Sequence, residues 1–289
     1  MQPIGTFSIV ARDPDTGELG IAVQSKFLAV GMAVPWAKAG AGAIATQAAA
    51  NLDYGEVGLK LLEKGYTAQQ TLEALLALDE GREERQVGIV DPQGNAVSFT
   101  GKNCFDWAGG ATGENFACQG NILVSEATVQ ALKDTFLSTT GTLARRLVKA
   151  LDAAQHAGGD KRGRQSASLL VVKEKGSYGG YNDRYIDLRV DDHPDPIVEL
   201  ARLLDLHEMY FHKTTPEEMV TVDQSLALKM QEALAKKGYY NGPPSGDFDT
   251  ATRKAYEDFC GVENFEERLC PGNVVDSRVL EILLSKRKT

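Results

Sequence analysis

The 289-residue sequence lacks several features that would assign it to a common class of protein. No apolar run approaches the roughly 20 residues that a membrane-spanning helix needs. Its 31 Lys and Arg residues are outnumbered by 40 Asp and Glu residues, which leaves a net charge of −9. Nucleic acids and anionic membrane surfaces are bound through basic faces. We therefore expect neither a nucleic-acid partner nor a membrane partner.

Cysteine is also scarce, and the four thiols show no C-x-x-C spacing. Reduced thiols are the simplest interpretation, although Cys260 and Cys270 could close a small loop in an exported protein. The start of the chain has no positive segment followed by a long apolar one, so no secretory signal is seen. We expect a cytoplasmic protein and leave export by another route open.

Motifs for metals, phosphates and cofactors are missing as well. The four histidines form no H-E-x-x-H pattern. Asp191, Asp192 and His193 directly precede a predicted helix, where carboxylates satisfy free N–H groups. No phosphate-binding loop has the required spacing, the Gly-x-Gly in "AGAGAIATQ" does not lead into a helix, and no G-x-S-x-G elbow occurs. We expect no metal and no cofactor.

The hydrophobic pattern predicts strands in hairpins and helices in pairs between them. "TFSIVAR" and "LGIAV" flank the turn Asp-Pro-Asp-Thr-Gly, and "VGIV" and "AVSF" flank Asp-Pro-Gln-Gly-Asn. Helical periodicity covers 54–79, with a break at Gly65-Tyr66 and Thr67 as N-cap, and roughly 126–137 and 142–157. "SASLLVV" and "RYIDLRV" read as a further strand pair. This order favours antiparallel sheets with helices packed outside, an α+β layered fold.

A change in the hydrophobic pattern near residue 212 predicts two domains. Residues 1–211 form the mixed domain, and the polar, proline-containing segment 212–221 is typical of a linker. Residues 222–289 show helical spacing without strands of substance, which predicts a small all-α domain.

Thr6 is the first candidate for chemistry, because it opens the first strand directly after Gly5. In an N-terminal nucleophile the hydroxyl attacks and the residue's own α-amine, with a reference pKa of about 7.7–8.0, is the base. The amine exists only after the Gly5–Thr6 bond is cut, and glycine eases the strained geometry of that step. Thr6 is equally compatible with a plain strand start. A hydrolase that uses Ser8 or Ser25 without processing is a third interpretation.

Three polar stretches, "AVQSK", "CQGNIL" and "GRQSASLL", could supply donors for an oxyanion or groups that position the substrate beside Thr6. Lys26 could lower the pKa of the Thr6 amine or hydroxyl. The same stretches are compatible with an ordinary strand exit, a turn and a solvated loop. The candidate catalytic residues besides Thr6 are Gln24, Ser25, Lys26, Gln119, Asn121, Ser166 and Ser168, with Arg164 and Gln165 as candidate substrate-binding residues.

Several motifs carry a resemblance to a known family. The region 6–48 together with "RQVGIVDPQGNAVSFTG", "QGNIL", "GRQSASLLVV", "GGYNDRYIDLRVDDHPDPI" and "LLDLH" closely resembles the domain-of-unknown-function 1028 family. That family looks like the N-terminal-nucleophile (Ntn) hydrolases, which implies a four-layer αββα sandwich and cleavage of an amide bond. By this resemblance Thr6 falls at the nucleophile and Gln24 near a position usually held by a carboxylate. Because residues precede Thr6, the chain would have to process itself.

The tail resembles peptidoglycan-binding modules in its "GYYNG", "GDFD" and "TATRKAYEDF" motifs. Tyr239 and Tyr240, with Phe248, could offer flat faces to sugar or peptide, or they could fill a small three-helix core.

Two functions follow from these observations. The first is an Ntn-type amidohydrolase that acts on a small amide or peptide. The second is a non-catalytic protein of the same fold that binds peptidoglycan fragments or a protein partner through its tail. In either case we expect a homo-oligomer.

Overall fold

The computed structural model of the protein describes residues 5–285. Two predictions concern residues outside this range. One is the pair of domain ends at residues 1 and 289, and the other is the segment Met1 to Ile4, which self-processing would remove together with Gly5. The chain divides into two compact units, Met1–Leu204 and Asp205–Thr289. No helix within residues 5–285 combines the length and the apolar composition needed to cross a membrane.

The first unit is a mixed α/β structure with two antiparallel sheets. In chain order its elements are β1 (Thr6–Arg12), β2 (Leu19–Ser25), β3 (Pro35–Lys38), β4 (Gly42–Ala48), α1 (Asp53–Glu63), α2 (Ala68–Ala77), β5 (Arg85–Val90), β6 (Ala96–Thr100), β7 (Gly109–Gly113), β8 (Phe116–Asn121), α3 (Ala127–Ser138), α4 (Leu143–His156), β9 (Ser166–Val172), β10 (Arg184–Val190) and the start of α5 (Pro196–Phe211). One sheet has the order β10-β9-β2-β1-β8-β7 and the other has the order β3-β4-β5-β6. Strand β1 therefore lies inside the larger sheet, between β2 and β8.

The predicted hairpins and paired helices are confirmed. Thr67 caps α2 with a complete capping box, in which Gln70 returns a hydrogen bond to the Thr67 N–H group. Strand β7 was not predicted, because its sequence Gly-Gly-Ala-Thr-Gly lacks a hydrophobic alternation. It forms because a neighbouring strand pairs with it along its whole length, and the close approach of Trp107 and Ser98 to Gly109 and Gly110 leaves no room for side chains there.

The buried apolar side chains of the first unit form three hydrophobic clusters. One contains Phe7 and Ile9 of β1 together with side chains of α3 and α4. A second contains Val10 together with Ala45 and Val90 of the smaller sheet, and the third joins that sheet to α1 and α2. Side chains alternate along a strand, so odd-numbered residues of β1 face the helices. Thr6, Ser8 and Val10 consequently face the second sheet.

The second unit contains the end of α5, β11 (Met219–Thr221), α6 (Gln224–Lys236), α7 (Thr250–Val262), β12 (Val274–Asp276) and α8 (Ser277–Leu284). β11 and β12 pair in antiparallel fashion. β11 falls in the segment for which the sequence predicts a linker, because Val220 lies opposite Val275 and packs against the apolar cluster of this unit. Cys260 and Cys270 are free thiols, and burial raises the pKa of Cys260 to about 12.

Arg268 is the buried charge that holds the second unit together. Its guanidinium pairs with Asp276 at 2.7 Å and with Glu218 at 3.2 Å, and it donates to the Met209 and Glu208 carbonyl oxygens at 2.8 and 2.9 Å. Arg268 and Asp276 are 1% and 0% exposed. Removing one member of a buried ion pair leaves an uncompensated charge in a poorly solvated place.

Arg268→Ala is therefore expected to lower the free energy of unfolding of the second unit by about 3–5 kcal/mol. Hydrogen exchange at increasing denaturant concentration, read by mass spectrometry on peptides from residues 205–285, measures this. Lys254→Ala is the control, because it breaks only an exposed pair on α7 with Asp258 and is expected to cost at most about 1 kcal/mol. Equal effects of the two substitutions would contradict a structural role for Arg268.

Candidate functional site

Thr6 lies between two polar residues of the neighbouring strands. It is directly opposite Ser25 of β2 and Asn121 of β8, so all three side chains share the face that looks toward the second sheet. None of the three is more than 1% exposed. The structure thus places two of the candidate residues, Ser25 and Asn121, directly beside Thr6.

The carbonyl oxygen of Gly5, the residue before Thr6, is held by two donors. The Ser25 hydroxyl donates one short hydrogen bond to it, and Nη2 of Arg162 donates another at 2.8 Å. The Thr6 hydroxyl in turn donates to Ser25 Oγ at 3.1 Å. A continuous line of hydrogen bonds therefore runs from the Thr6 hydroxyl to the Gly5 carbonyl through Ser25. Donors placed on a carbonyl oxygen stabilise the negative charge that nucleophilic attack creates there.

Arg162 is held in place by Asp160. Its Nε and Nη2 bond the two carboxylate oxygens at 3.1 and 2.7 Å, a bidentate geometry that fixes the guanidinium plane. The Asp160 side chain is completely buried and also accepts from the backbone N–H groups of Arg162 and Lys26 at 2.9 and 3.0 Å. Sequence reasoning missed both residues, because "DKRGRQ" has the composition of a solvated basic loop.

A buried polar network extends from this point between the two sheets. Gln119 donates to Ser8 Oγ at 2.7 Å, Ser8 donates to Gln47 at 2.6 Å, and Gln47 and Asn121 both donate to Gln86 Oε1 at 2.8 and 2.9 Å. Gln47 and Gln86 were not predicted as site residues. Their signal in the sequence is a glutamine inside an otherwise apolar strand, in "GAIATQA" and "RQVGIV". Ser8 lies inside this network, where its hydroxyl accepts from Gln119 and donates to Gln47.

A cavity of about 330 Å³ lies at the edge of the network. Its lining residues are Ala48, Ala49, Glu84, Asn103, Cys104, Phe105 and Asn121. One of these lining residues, Asn121, is the direct cross-strand neighbour of Thr6. Ala48, which lines it, and Ile122, which follows Asn121, have φ angles of 67° and 54°. Strained backbone of this kind in residues other than glycine concentrates at functional sites.

Cys104 is the one thiol that lines this cavity. Burial raises its pKa above the ordinary value, and its Sγ contacts the Arg85 carbonyl oxygen at 3.4 Å. Thiolate is the reactive form of cysteine. The cavity therefore offers Cys104 as a packing group and not as an activated nucleophile.

The predictions for Gln24 and Lys26 need correction. Gln24 lies opposite Phe7 in the register, so it faces the helices and not the Thr6 hydroxyl. Lys26 extends outward, and its Nζ bonds the Arg164 carbonyl oxygen at 3.3 Å. The alternation of side chains along β2 brings only Ser25 of this triplet to Thr6. Its neighbour Lys26 contributes a backbone N–H to Asp160 instead.

The predictions for Ser166 and Ser168 also need correction. Strand β9 is separated from β1 by β2, so both serines lie two strands from Thr6. Ser166 bonds the Phe27 carbonyl and the Val30 N–H group, and so holds the loop after β2. Ser168 packs against Gly31. Neither hydroxyl can reach an oxyanion at the Gly5 carbonyl.

The candidate substrate-binding residues of the first unit are engaged in a surface loop. Arg164 pairs with Asp195, and Gln165 donates to Asp192 at 3.1 Å. Within residues 5–285, no group of three or more His, Cys, Asp or Glu side chains is arranged to hold a metal ion.

In the second unit, Tyr240 is only 8% exposed and belongs to the hydrophobic cluster. Tyr239 is half-buried and packs edge-on against Phe259, with ring centroids 5.7 Å apart. The interpretation that these tyrosines fill the core fits Tyr240. Tyr239 and Phe248 are only partly buried.

Comparison with known proteins gives four findings. The model of the "Family of unknown function (DUF1028)" matches residues 6–200, and that of the "Putative peptidoglycan binding domain" matches residues 210–283. The crystal structure of protein SPO2555 from Silicibacter pomeroyi, described as a DUF1028 protein, is 33% identical and superposes with a TM-score of 0.65. That similarity covers 71% of this chain and 89% of SPO2555. Comparison with curated proteins finds no match.

Proposed function

The chain belongs to the family of unknown function DUF1028, and from that membership we propose that its first unit is an Ntn-type amide hydrolase whose nucleophile is Thr6. The observation that carries the proposal is the line of hydrogen bonds from the Thr6 hydroxyl through Ser25 to the Gly5 carbonyl. The order of helices, sheet, sheet and helices around three apolar clusters supports an αββα sandwich of the Ntn type.

The first reaction of this site is cleavage of the Gly5–Thr6 bond. Thr6 Oγ attacks the Gly5 carbonyl carbon and closes a five-membered ring, while its proton passes to Ser25 and the proton of Ser25 passes to the carbonyl oxygen. Arg162 stabilises the charge that develops on that oxygen. The hydroxyl of this ring intermediate then gives up its proton as the C=O bond re-forms, and the Thr6 nitrogen takes up a proton as the C–N bond breaks, which leaves an ester between Gly5 and Thr6 Oγ. Water hydrolyses this ester to a Gly5 carboxylate and a chain that begins with a free Thr6 amine.

The second reaction is turnover of a small amide. The new amine takes the proton from the Thr6 hydroxyl as that hydroxyl attacks the substrate carbonyl, and it delivers this proton to the leaving nitrogen as the C–N bond breaks. Water then hydrolyses the acyl ester on Thr6 Oγ, which releases the carboxylic acid and restores the hydroxyl. The cavity beside Asn121 supplies space of the size of a small amide or peptide. Because the amine must be unprotonated, the rate is expected to rise with pH through the amine's range, about 7.7–8.0 in a free chain.

The test follows amide hydrolysis while the bond is being cut. Freshly prepared chain is sampled over time, and the fraction of molecules starting at Thr6 is compared with the rate of nitrogen release from a panel of small amides. Activity that grows in proportion to the cut fraction supports the proposal. Full activity in chain that is still uncut would contradict it.

For the second unit we propose binding of peptidoglycan fragments. The match of residues 210–283 to a peptidoglycan-binding domain supports it. Full-length protein should sediment with insoluble peptidoglycan and be released by soluble fragments of the same polymer. Equal sedimentation with cellulose, an uncharged polymer without peptide, would contradict a specific role.

A further inference from the structure

We propose that the processed site selects amides whose acyl group is glycyl, with no substituent on the carbon next to the carbonyl, and that Arg162 determines this selectivity. The inference rests on the proposed function and goes beyond it, because it names the acyl half of the substrate.

The argument starts from the intermediate that the two reactions share. Cutting of the Gly5–Thr6 bond passes through an ester of a glycyl group on Thr6 Oγ. Turnover of an external amide passes through an ester of the substrate's acyl group on the same oxygen. If the external substrate has the form peptidyl-Gly–NHR, both esters carry a glycyl group on Thr6 Oγ. They differ only in what precedes that glycine. The segment before Thr6 is thus the first substrate that the site handles, and its position defines where an acyl group can lie.

That position has no room for a side chain. A Cβ added to Gly5 would lie 2.5, 2.7 and 2.8 Å from Nη2, Cζ and Nε of Arg162. Real Cβ atoms do not approach other atoms so closely, so either the guanidinium or the acyl group has to move. The head of an arginine is usually free to do so at little cost.

Here the guanidinium is not free to move. It makes two bonds to Asp160, whose carboxylate is completely buried and is itself held by two backbone N–H groups. Moving the head would break a bidentate pair and leave a buried carboxylate without its counter-charge. It would also withdraw the donor from the carbonyl oxygen that it stabilises. A larger acyl group therefore loses both space and transition-state stabilisation.

The Arg162 guanidinium should keep this position after processing. Asp160 holds the Arg162 guanidinium by two bonds and is itself held by the Lys26 backbone. Neither residue belongs to residues 1–5, so these contacts remain after processing, which removes only the Gly5 carbonyl from the described contacts of Arg162. Arg162 and Ser25 then present donors to whichever acyl carbonyl takes the place of Gly5.

The first experiment measures acyl preference with two matched probes, N-acetylglycine p-nitroanilide and N-acetyl-L-alanine p-nitroanilide. Chain with a free Thr6 amine is expected to favour the glycyl probe in kcat/KM by roughly 10–200-fold, the range that one extra carbon commands in a tight site. In Arg162→Ala both rates fall, but the ratio is expected to approach one. To obtain this variant with a free amine, Thr6 is placed directly after the initiator Met, which the host removes.

A second experiment uses the protein's own bond and needs no external substrate. Gly5→Ala is expected to slow cutting by at least about tenfold in the wild-type background, whereas in the Arg162→Ala background it should add little, because the two effects are coupled. Equal slowing in both backgrounds would overturn the role of Arg162.

The outcomes separate the inference from the proposed function. Hydrolysis of other amides without a glycyl preference, or no hydrolysis of the glycyl probe by a chain that begins at Thr6, overturns the inference and leaves the nucleophile in place. A wild-type chain that never exposes the Thr6 amine overturns both.

Discussion

Thr6→Ala is expected to abolish cutting of the Gly5–Thr6 bond, with no chain beginning at residue 6 after any time of incubation. The substitution removes the only atom that the proposed reaction places on the Gly5 carbonyl carbon. Ser25 cannot replace it, because its hydroxyl is bonded to the carbonyl oxygen and not directed at the carbon. Intact mass spectrometry over time measures the cut fraction directly.

Thr6→Ser is the matched control for this experiment. It keeps the hydroxyl and removes only a methyl group, so cutting and amide turnover are expected to persist at a reduced rate. Continued cutting in Thr6→Ala would show that another group or a contaminating protease breaks the bond. Loss of cutting in both variants, with an unchanged melting temperature, would show that the hydroxyl is not sufficient.

Ser25→Ala is expected to slow cutting by about 10²–10³-fold, the usual cost of removing one donor from an oxyanion. Two contacts disappear together, because the Ser25 hydroxyl accepts from Thr6 and donates to the Gly5 carbonyl. Arg162 remains on that oxygen, so residual cutting should stay measurable. The rate is obtained from the same mass measurement after rapid purification.

Ser98→Ala is the control for Ser25→Ala. The Ser98 hydroxyl is also buried, in strand β6, and it makes no hydrogen bond within the described residues. Its loss removes no hydrogen bond among residues 5–285, so the cutting rate should stay within about twofold of wild type. If Ser98→Ala and Ser25→Ala slow the reaction equally, the effect of Ser25 comes from general destabilisation and not from the relay.

Much of the fold could be predicted because local signals agree with the tertiary structure. Turns that begin with Asp-Pro and contain a glycine mark both β1–β2 and β5–β6, and the capping box at Thr67 marks the start of α2. Strand β7 could not be predicted, since its glycines carry no periodic signal and its pairing depends on β8. The strand β11 depends in the same way on β12, which follows it more than 50 residues later.

The part of the site that could be predicted from the sequence is the one that the register of the β1–β2 hairpin determines. Simple register brings Ser25 opposite Thr6 and turns Gln24 to the other face. Lys26 lies beyond the end of β2. Arg162 could not be predicted, because its role depends on a contact across 157 residues with the Gly5 carbonyl. Nor could Asp160, which the sequence places among charged loop residues and the fold buries completely.

The N-terminus of the purified wild-type protein tests the central claim most directly. Intact mass spectrometry with N-terminal sequencing shows whether residues 1–5 are present. The account predicts a chain that begins at Thr6 and has a free amine, with the cut form accumulating over time and absent in Thr6→Ala. A stable chain that keeps Gly5 joined to Thr6, losing at most its initiator Met, would contradict it.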